Sequence, residues 1–282
     1  MKLSIFTTVS RPKSRGDNWQ SAYDCYKELA DEIIVVDGNV VTDSQDKNFI
    51  ANYGESEGYH KVIYFWPEEF DWQLIGQQFQ RGYEACTGDW IIHADLDFIF
   101  HERDYRAIRM ACENNPDAPA LSFWKHQFVL PDRYNLKSRL VIAVNKGKFG
   151  DRIRFDSGGD LCQPSLDGKY INPNDVPEAE IPFYNYEKLL KTKAQVMDDV
   201  GRMERAYKRH FGKTQYGSDG TDKDAYRLWI EAQIGKFNKP QKFIKLTDHP
   251  KVMQETIKNL TPENFGYSGH GKLGENNYVK SS

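Results

Sequence analysis

Through the first hundred residues, short runs of β-branched and apolar residues alternate with stretches whose apolar positions recur every three or four residues. That is the mark of strand–helix units laid side by side. Leu3–Val9 reads as a first strand and is followed by a turn-rich segment over residues 10–16. Asp17 then heads a helix with Trp19, Tyr23, Tyr26 and Ala30 on one face and Gln20 placed three residues on, as in a capping box. Ile33-Ile34-Val35-Val36 gives the second strand, closed by the turn signal Asp37-Gly38-Asn39, which leaves a carboxylate at the strand's carboxyl end. Residues 61–66 give a third strand. Trp72, Ile75, Phe79, Gly82, Tyr83 and Cys86 mark one face of the next helix, with Gly88 as its C-cap, and Trp90-Ile91-Ile92-His93-Ala94 is the fourth strand. This alternation predicts an α/β fold: a mostly parallel central sheet flanked by helices, with ligands bound at the carboxyl ends of the strands.

Farther along, Tyr105, Ile108 and Cys112 predict a short helix ending before Pro116, and residues 120–124, 127–130 and 140–145 predict further strands. From 147 to 182 the pattern dissolves into Gly, Pro, Asp and Asn, and a loop-rich region of that length is more often functional than idle. A long helix is expected over residues 186–211, with Leu190, Val196, Val200, Met203 and Tyr207 facing inward, and another over 225–234. His249-Pro250 opens a last helix with Val252, Met253, Thr256, Ile257 and Leu260 on its apolar side.

Composition narrows the function classes. The chain has 282 residues, 39% of them hydrophobic, enough for one large α/β body. Its net charge of −3 provides no basic field for nucleic acid or an anionic membrane surface. Cys25, Cys86, Cys112 and Cys162 are widely spaced and read as buried thiols in a reducing compartment. No stretch approaches the roughly 20 apolar residues of a membrane span, and the first residues look like a strand, not a signal peptide. A cytoplasmic location is therefore expected.

The chemistry centres on Asp95-Leu96-Asp97. The motif follows an apolar strand directly, and no Lys or Arg lies between Gly88 and His101 to neutralise it. Two such carboxylates suit a hard cation, Mn²⁺ or Mg²⁺, bridged to the phosphates of a nucleotide. His249, at a helix amino terminus that disfavours its charged form, is a candidate further metal ligand. Asp160, after Gly158-Gly159, is the candidate general base, with Asp156 the next choice. Gly266-Tyr267-Ser268-Gly269-His270-Gly271-Lys272 has P-loop spacing, but Leu273 stands where Ser or Thr must bind magnesium, so a mobile tail is expected there. No Gly-x-Gly-x-x-Gly follows the first strand, which disfavours a dinucleotide dehydrogenase.

Ser4-Ile5-Phe6-Thr7-Thr8, Val35-Val36-Asp37-Gly38 and the run from Ala85 through Gly88-Asp89-Trp90 to Asp95-Leu96-Asp97 together resemble the family 2 glycosyltransferases of GT-A fold. The resemblance is good over about the first hundred residues and fragmentary beyond. It implies sugar transfer, usually with inversion, from a nucleoside-diphosphate sugar to a hydroxyl of a glycan or other acceptor. It also implies donor contacts from Thr7, Thr8, Asp37, Gln80, Asp95 and Leu96, and metal ligation by Asp97 and Asp95. Gln80 occupies the region of the preceding helix where the family often carries Arg and Asn, and Phe98 stands where a third Asp is common. The implied organisation is a nucleotide-sugar-binding half over 1–120, an acceptor half with the long helix over 121–235, and a C-terminal helix and Gly-rich tail over 236–282. The alternatives are a sugar-nucleotide pyrophosphorylase, whose Gly-rich, Lys-containing loop after the first strand is missing, and a non-catalytic carbohydrate- or nucleotide-binding relative.

Overall fold

The structure, a computed structural model, describes residues 1–38, 60–63, 72–155 and 163–279. Its main strands are β1 (Leu3–Val9), β2 (Glu32–Asp37), β3 (His60–Ile63), β4 (Trp90–His93), β5 (Phe98–Ile99), β6 (Ala120–Leu130), β7 (Arg133–Asn145), β8 (Glu178–Asn185) and β9 (Lys242–Phe243). Its main helices are α1 (Trp19–Leu29), α2 (Trp72–Ala85), α3 (Tyr105–Glu113), α4 (Lys193–Phe211), α5 (Asp222–Phe237) and α6 (Lys251–Lys258). The described strands form a sheet in the order β3-β2-β1-β4-β7-β6-β8-β5, with β9 added on β7. From β3 to β4 every pairing is parallel. Past β4 the sheet turns antiparallel through β7 and β6, returns to parallel between β6 and β8, and ends on the antiparallel β5.

Period-two alternation explains the parallel half. Ile5, Ile33 and Val35 pack with Ala22, Tyr23, Tyr26 and Leu29 of α1, while Phe6 and Ile34 pack with Phe79, Tyr83 and Cys86 beside α2. Both faces of β1 and β2 are therefore covered, which is why these strands read as nearly continuous apolar runs. A third cluster joins α4 to α5 through Val196, Val200, Ala225, Trp229 and Ile230, and takes in Phe265 and Leu273 from the C-terminal segment. No helix among the described residues is long and apolar enough to cross a membrane. Cys25, Cys86 and Cys112 are buried free thiols, and Cys162 lies outside the described residues.

Several local expectations are corrected. The residue preceding α1 is Asn18, with no side-chain cap, because Asp17 is drawn away to the Lys191 ammonium at 2.6 Å. The two short strands expected between 120 and 130 are one strand, β6. The long helix starts at Lys193, not near 186. Thr192 caps it with a capping box to Gln195, and residues 186–191 are left as an extended and turn segment. The glycine-rich C-terminal stretch is packed, not mobile. Phe265–Ser268 forms a single helical turn, Leu273 and Asn276 are buried, and the Asn276 side-chain amide donates to the Gly266 carbonyl at 2.8 Å.

Gly88 serves as a close-approach residue, not a C-cap. A Cβ there would lie 2.8 Å from the Ser4 amide nitrogen and 3.0 Å from the Lys2 carbonyl oxygen, atoms of the neighbouring strand backbone. Its amide donates to Ser4 Oγ at 2.9 Å, and Thr87 N–H donates to Glu32 at 2.7 Å. Ser4 Oγ in turn donates to Glu32 at 2.5 Å, and despite the cost of its partial burial the hydrogen bonds from Ser4 and Thr87 hold the Glu32 carboxyl down at about 2, well below the usual range. This tie sets the register with which β4 delivers the Asp-Leu-Asp turn. Gly88→Ala should therefore destabilise the protein by about 1–3 kcal/mol in urea unfolding, the usual cost of overpacking, and an unchanged midpoint would contradict the close approach.

Candidate functional site

β1 and β4 end side by side. Phe6 pairs with His93, and the Ala94 amide donates to the Phe6 carbonyl at 3.0 Å, so the chain leaves the sheet at Asp95. In the turn that follows, Phe98 N–H donates to the Asp95 carbonyl at 2.8 Å. The buried Tyr26 hydroxyl of α1 is shared between the carbonyls of Asp95 (2.6 Å) and Phe98 (2.9 Å). Leu96 is 7% exposed and anchors the turn in the core, while the carboxylates on either side keep a partial opening. From the end of β8, the Tyr186 amide donates to the Asp97 carbonyl at 3.0 Å and Asn185 Nδ2 donates to Asp97 Oδ2 at 2.8 Å.

Asp95, Leu96 and Asp97 line a cavity of about 380 Å³, together with the end of β1, the 15–18 segment, α2, the 186–191 segment and α4. Neither carboxylate has an ion-pair partner among the described residues. Burial, then the proximity of Asp97, pushes the Asp95 carboxyl up to about 7, and burial with Glu187 nearby also raises Asp97. Two like charges held this close favour sharing a proton or a cation.

A second wall of the cavity is built around Asp199, which is 4% exposed at its side chain. Its Oδ2 receives Lys191 Nζ at 2.5 Å and Lys188 Nζ at 3.2 Å, and its Oδ1 receives Arg202 at 2.7 Å and Arg15 Nε at 3.2 Å. Burial alone would raise the Asp199 carboxyl, but Lys188, Arg15 and Lys191 hold it far below the usual range. Removing one partner from such a buried network costs about 3–5 kcal/mol. Gly16 lets the 10–18 segment reach α4: its φ is +66°, and a Cβ would stand 2.6 Å from Gln195 Oε1.

The residues singled out from sequence divide clearly. Asp95, Leu96, Asp97 and Thr8 line the cavity. Thr7 is buried and not among the lining residues. Asp37 is 2% exposed at the end of β2, paired in register with Val9, which does line the cavity. Gln80 is not a lining residue either. Its Oε1 accepts from Phe155 N–H at 2.8 Å and its Nε2 donates to Glu84 at 2.9 Å, so it ties α2 to the segment before Asp156. His249 is fully buried, with Nδ1 2.7 Å from the Tyr186 hydroxyl and its ring against Phe128, and the structure does not bring it to the cavity. Burial lowers it to about 4, which favours the neutral imidazole, and its Nδ1 is engaged in the core hydrogen bond with Tyr186. Asp156 and Asp160 lie outside the described residues. Sequence reasoning missed Gln78, Glu187 and the Arg15–Lys188–Lys191–Asp199–Arg202 wall. The only signal available for the wall was a charged stretch, which reads equally well as the solvated face of a helix.

No family model matches the sequence, and no curated protein matches it. Among solved structures, the chain is similar to the mannosyltransferase PcManGT from Pyrobaculum calidifontis in complex with GDP-Man and Mn²⁺, at 12% identity over 83% of this chain and 71% of that one, with a TM-score of 0.41. It is similar to S. aureus TarS at 10% identity over 96% of this chain and 87% of that one, also at 0.41. It is similar to a putative nucleotide-diphospho-sugar transferase from Desulfovibrio desulfuricans at 14% identity over 84% of this chain and 98% of that one, at 0.37.

Burial of Asp95, with Asp97 close by, makes the stability of the metal-free protein depend on pH. Folded Asp95 keeps its proton up to about 7, whereas an unfolded Asp releases it near about 4. Between these limits the folded state binds more protons, so this contribution is full at low pH and is lost as pH rises. Thermal melts in chelator between about pH 5 and 8 should show a decline that Asp95→Asn flattens, and parallel pH profiles for the two proteins would show that Asp95 ionises normally.

Proposed function

We propose that the protein is a GT-A glycosyltransferase that moves a sugar from a nucleoside-diphosphate sugar to an acceptor hydroxyl, with Mn²⁺ or Mg²⁺ held by Asp97 and Asp95. One observation carries this: two carboxylates without ion-pair partners among the described residues face a large cavity at the carboxyl ends of β1 and β4. Among the described residues no group of three or more His, Cys, Asp and Glu side chains is placed to hold a metal alone. The donor set fits a hard cation that completes its shell with water and phosphate oxygens. When bound, such a cation would neutralise the diphosphate and favour its departure.

Thr8 and Val9, at the end of β1, and Asp37, at the end of β2, would contact the nucleoside, with the sugar directed toward the 186–191 segment. Asp160 is proposed as the base that takes the acceptor's proton, with Asp156 second. Glu187, with Asp17 and Asp199, is a further described carboxylate that lines the cavity, and Lys188 and Lys125 hold it below its usual range.

Calorimetric titration of a panel of nucleoside diphosphates tests donor binding. Affinity should require Mn²⁺ or Mg²⁺ and fall at least about tenfold in Asp97→Asn, whereas metal-dependent binding that survives the substitution contradicts the assignment. Asp160→Asn should bind donor normally yet transfer sugar about 10²-fold to 10⁴-fold more slowly. Wild-type turnover in that variant moves the base to Asp156 or Glu187.

A further inference from the structure

The wall built on Asp199 brings four cations to one cavity and holds hydrogen-bond donors that its own carboxylates do not use. Arg15, Lys188, Lys191 and Arg202 line the cavity, and the carboxylates among them are Asp17, Glu187 and Asp199. Asp199 draws all four cations together through its two oxygens. Lys191, 2% exposed, donates to Asp17 and Asp199 and has a third N–H to give. Arg202 reaches Asp198 and Asp199 through one terminal nitrogen, and its Nε is buried with no hydrogen-bond partner. Gln78, on α2, also lines the cavity, is 1% exposed, and has an Nε2 with no partner.

A buried donor with nothing to bond is costly, and here two of them occur on residues that line one cavity beside converging cations. The group they lack is an acceptor that offers several oxygens in different directions and carries negative charge. A planar carboxylate presents two oxygens, whereas a phosphate presents three or more and can meet guanidinium, ammonium and amide donors at once. We propose that Gln78, Arg202, Arg15, Lys188 and Lys191 form a phosphate subsite that binds its oxyanion without a metal, a role that rests on and deepens the donor-binding function given above. Asp199 is its positioning residue. By holding the cations in place before the ligand arrives, it removes much of the ordering cost that flexible side chains otherwise impose on binding. The phosphate belongs either to the donor's diphosphate or to a phosphorylated acceptor, and the chemistry of recognition is the same.

The test is calorimetric titration of the full chain with inorganic pyrophosphate in excess EDTA at about 150 mM salt, where loose surface attraction is screened. Saturable one-to-one binding is expected, weakened about tenfold or more in Gln78→Leu and in Arg202→Gln, and retained in Asp97→Asn. Gln78→Leu should leave the melting temperature of the free protein unchanged or raised, since it removes an unpaired donor at similar volume, and so separates binding from folding. Displacement of pyrophosphate by a nucleoside diphosphate with Mn²⁺ assigns the subsite to the donor, and simultaneous binding assigns it to the acceptor. Absence of saturable binding in the wild type, or wild-type affinity in both Gln78→Leu and Arg202→Gln, overturns the subsite and leaves the cations as braces of the fold. Failure here leaves metal-dependent nucleotide binding through Asp97 standing, and failure of that metal dependence leaves the pyrophosphate result standing.

Discussion

Asp95 and Asp97 occupy one turn and face one cavity, neither with an ion-pair partner among the described residues, and the rest of the site is arranged around that crowding of acid. Holding two carboxylates together at a sheet edge requires structure that does not give way. The turn is therefore clamped from three directions: by the ladder between β1 and β4, by the Tyr26 hydroxyl from α1, and by the amides of Asn185 and Tyr186 at the end of β8. Leu96 supplies the apolar anchor between them. The clamps act on backbone carbonyls and on one oxygen of Asp97, so they fix the position of the turn without neutralising the charge. Below about pH 7 the Asp95 carboxyl relieves the repulsion by keeping its proton, and a bound cation would take that proton's place.

Positive charge is abundant a short distance away but is committed elsewhere. Arg15, Lys188, Lys191 and Arg202 converge on Asp199, so the cavity is lined both by an acidic turn without ion pairs among the described residues and by a cluster of cations gathered on acids of its own. Such a division suits a ligand with separated needs: a metal-bridged group at one side and a bare oxyanion at the other. The capping box at Thr192 matters for this division. It starts α4 at residue 193 and leaves 186–191 as a segment that meets Asp97 through the Tyr186 amide and Asp199 through Lys188 and Lys191.

The parallel half of the fold was legible because it rests on local patterns. Alternation in Leu3–Val9 and residues 33–36 sends successive side chains to opposite, fully covered faces, and the recurrence of Phe79 and Tyr83 marks α2. The Asp-Leu-Asp turn was legible because uncompensated acid directly after a buried strand is rare on packing grounds. The start of α4 was misread because residues 186–192 carry helix-like apolar spacing, while the Tyr186 amide is in fact spent on Asp97. His249 was misread because neutrality at a helix terminus says nothing about which group its ring meets. In the fold it meets Tyr186. The positive wall could not be read at all, since it joins Asp17 to Lys191 across 174 positions and depends on burial that charge counting does not reveal.

The central claim is that Asp95 and Asp97 form the cation end of a nucleotide site. Its most direct measurement is diffraction at the manganese edge from crystals of the wild-type chain grown with Mn²⁺ and a nucleoside diphosphate. An anomalous peak about 2.1 Å from an Asp97 carboxylate oxygen and from phosphate oxygens is the result expected. An ordered diphosphate in the cavity with no anomalous peak at the Asp95–Asp97 turn, or a peak bound elsewhere in the chain, would contradict it.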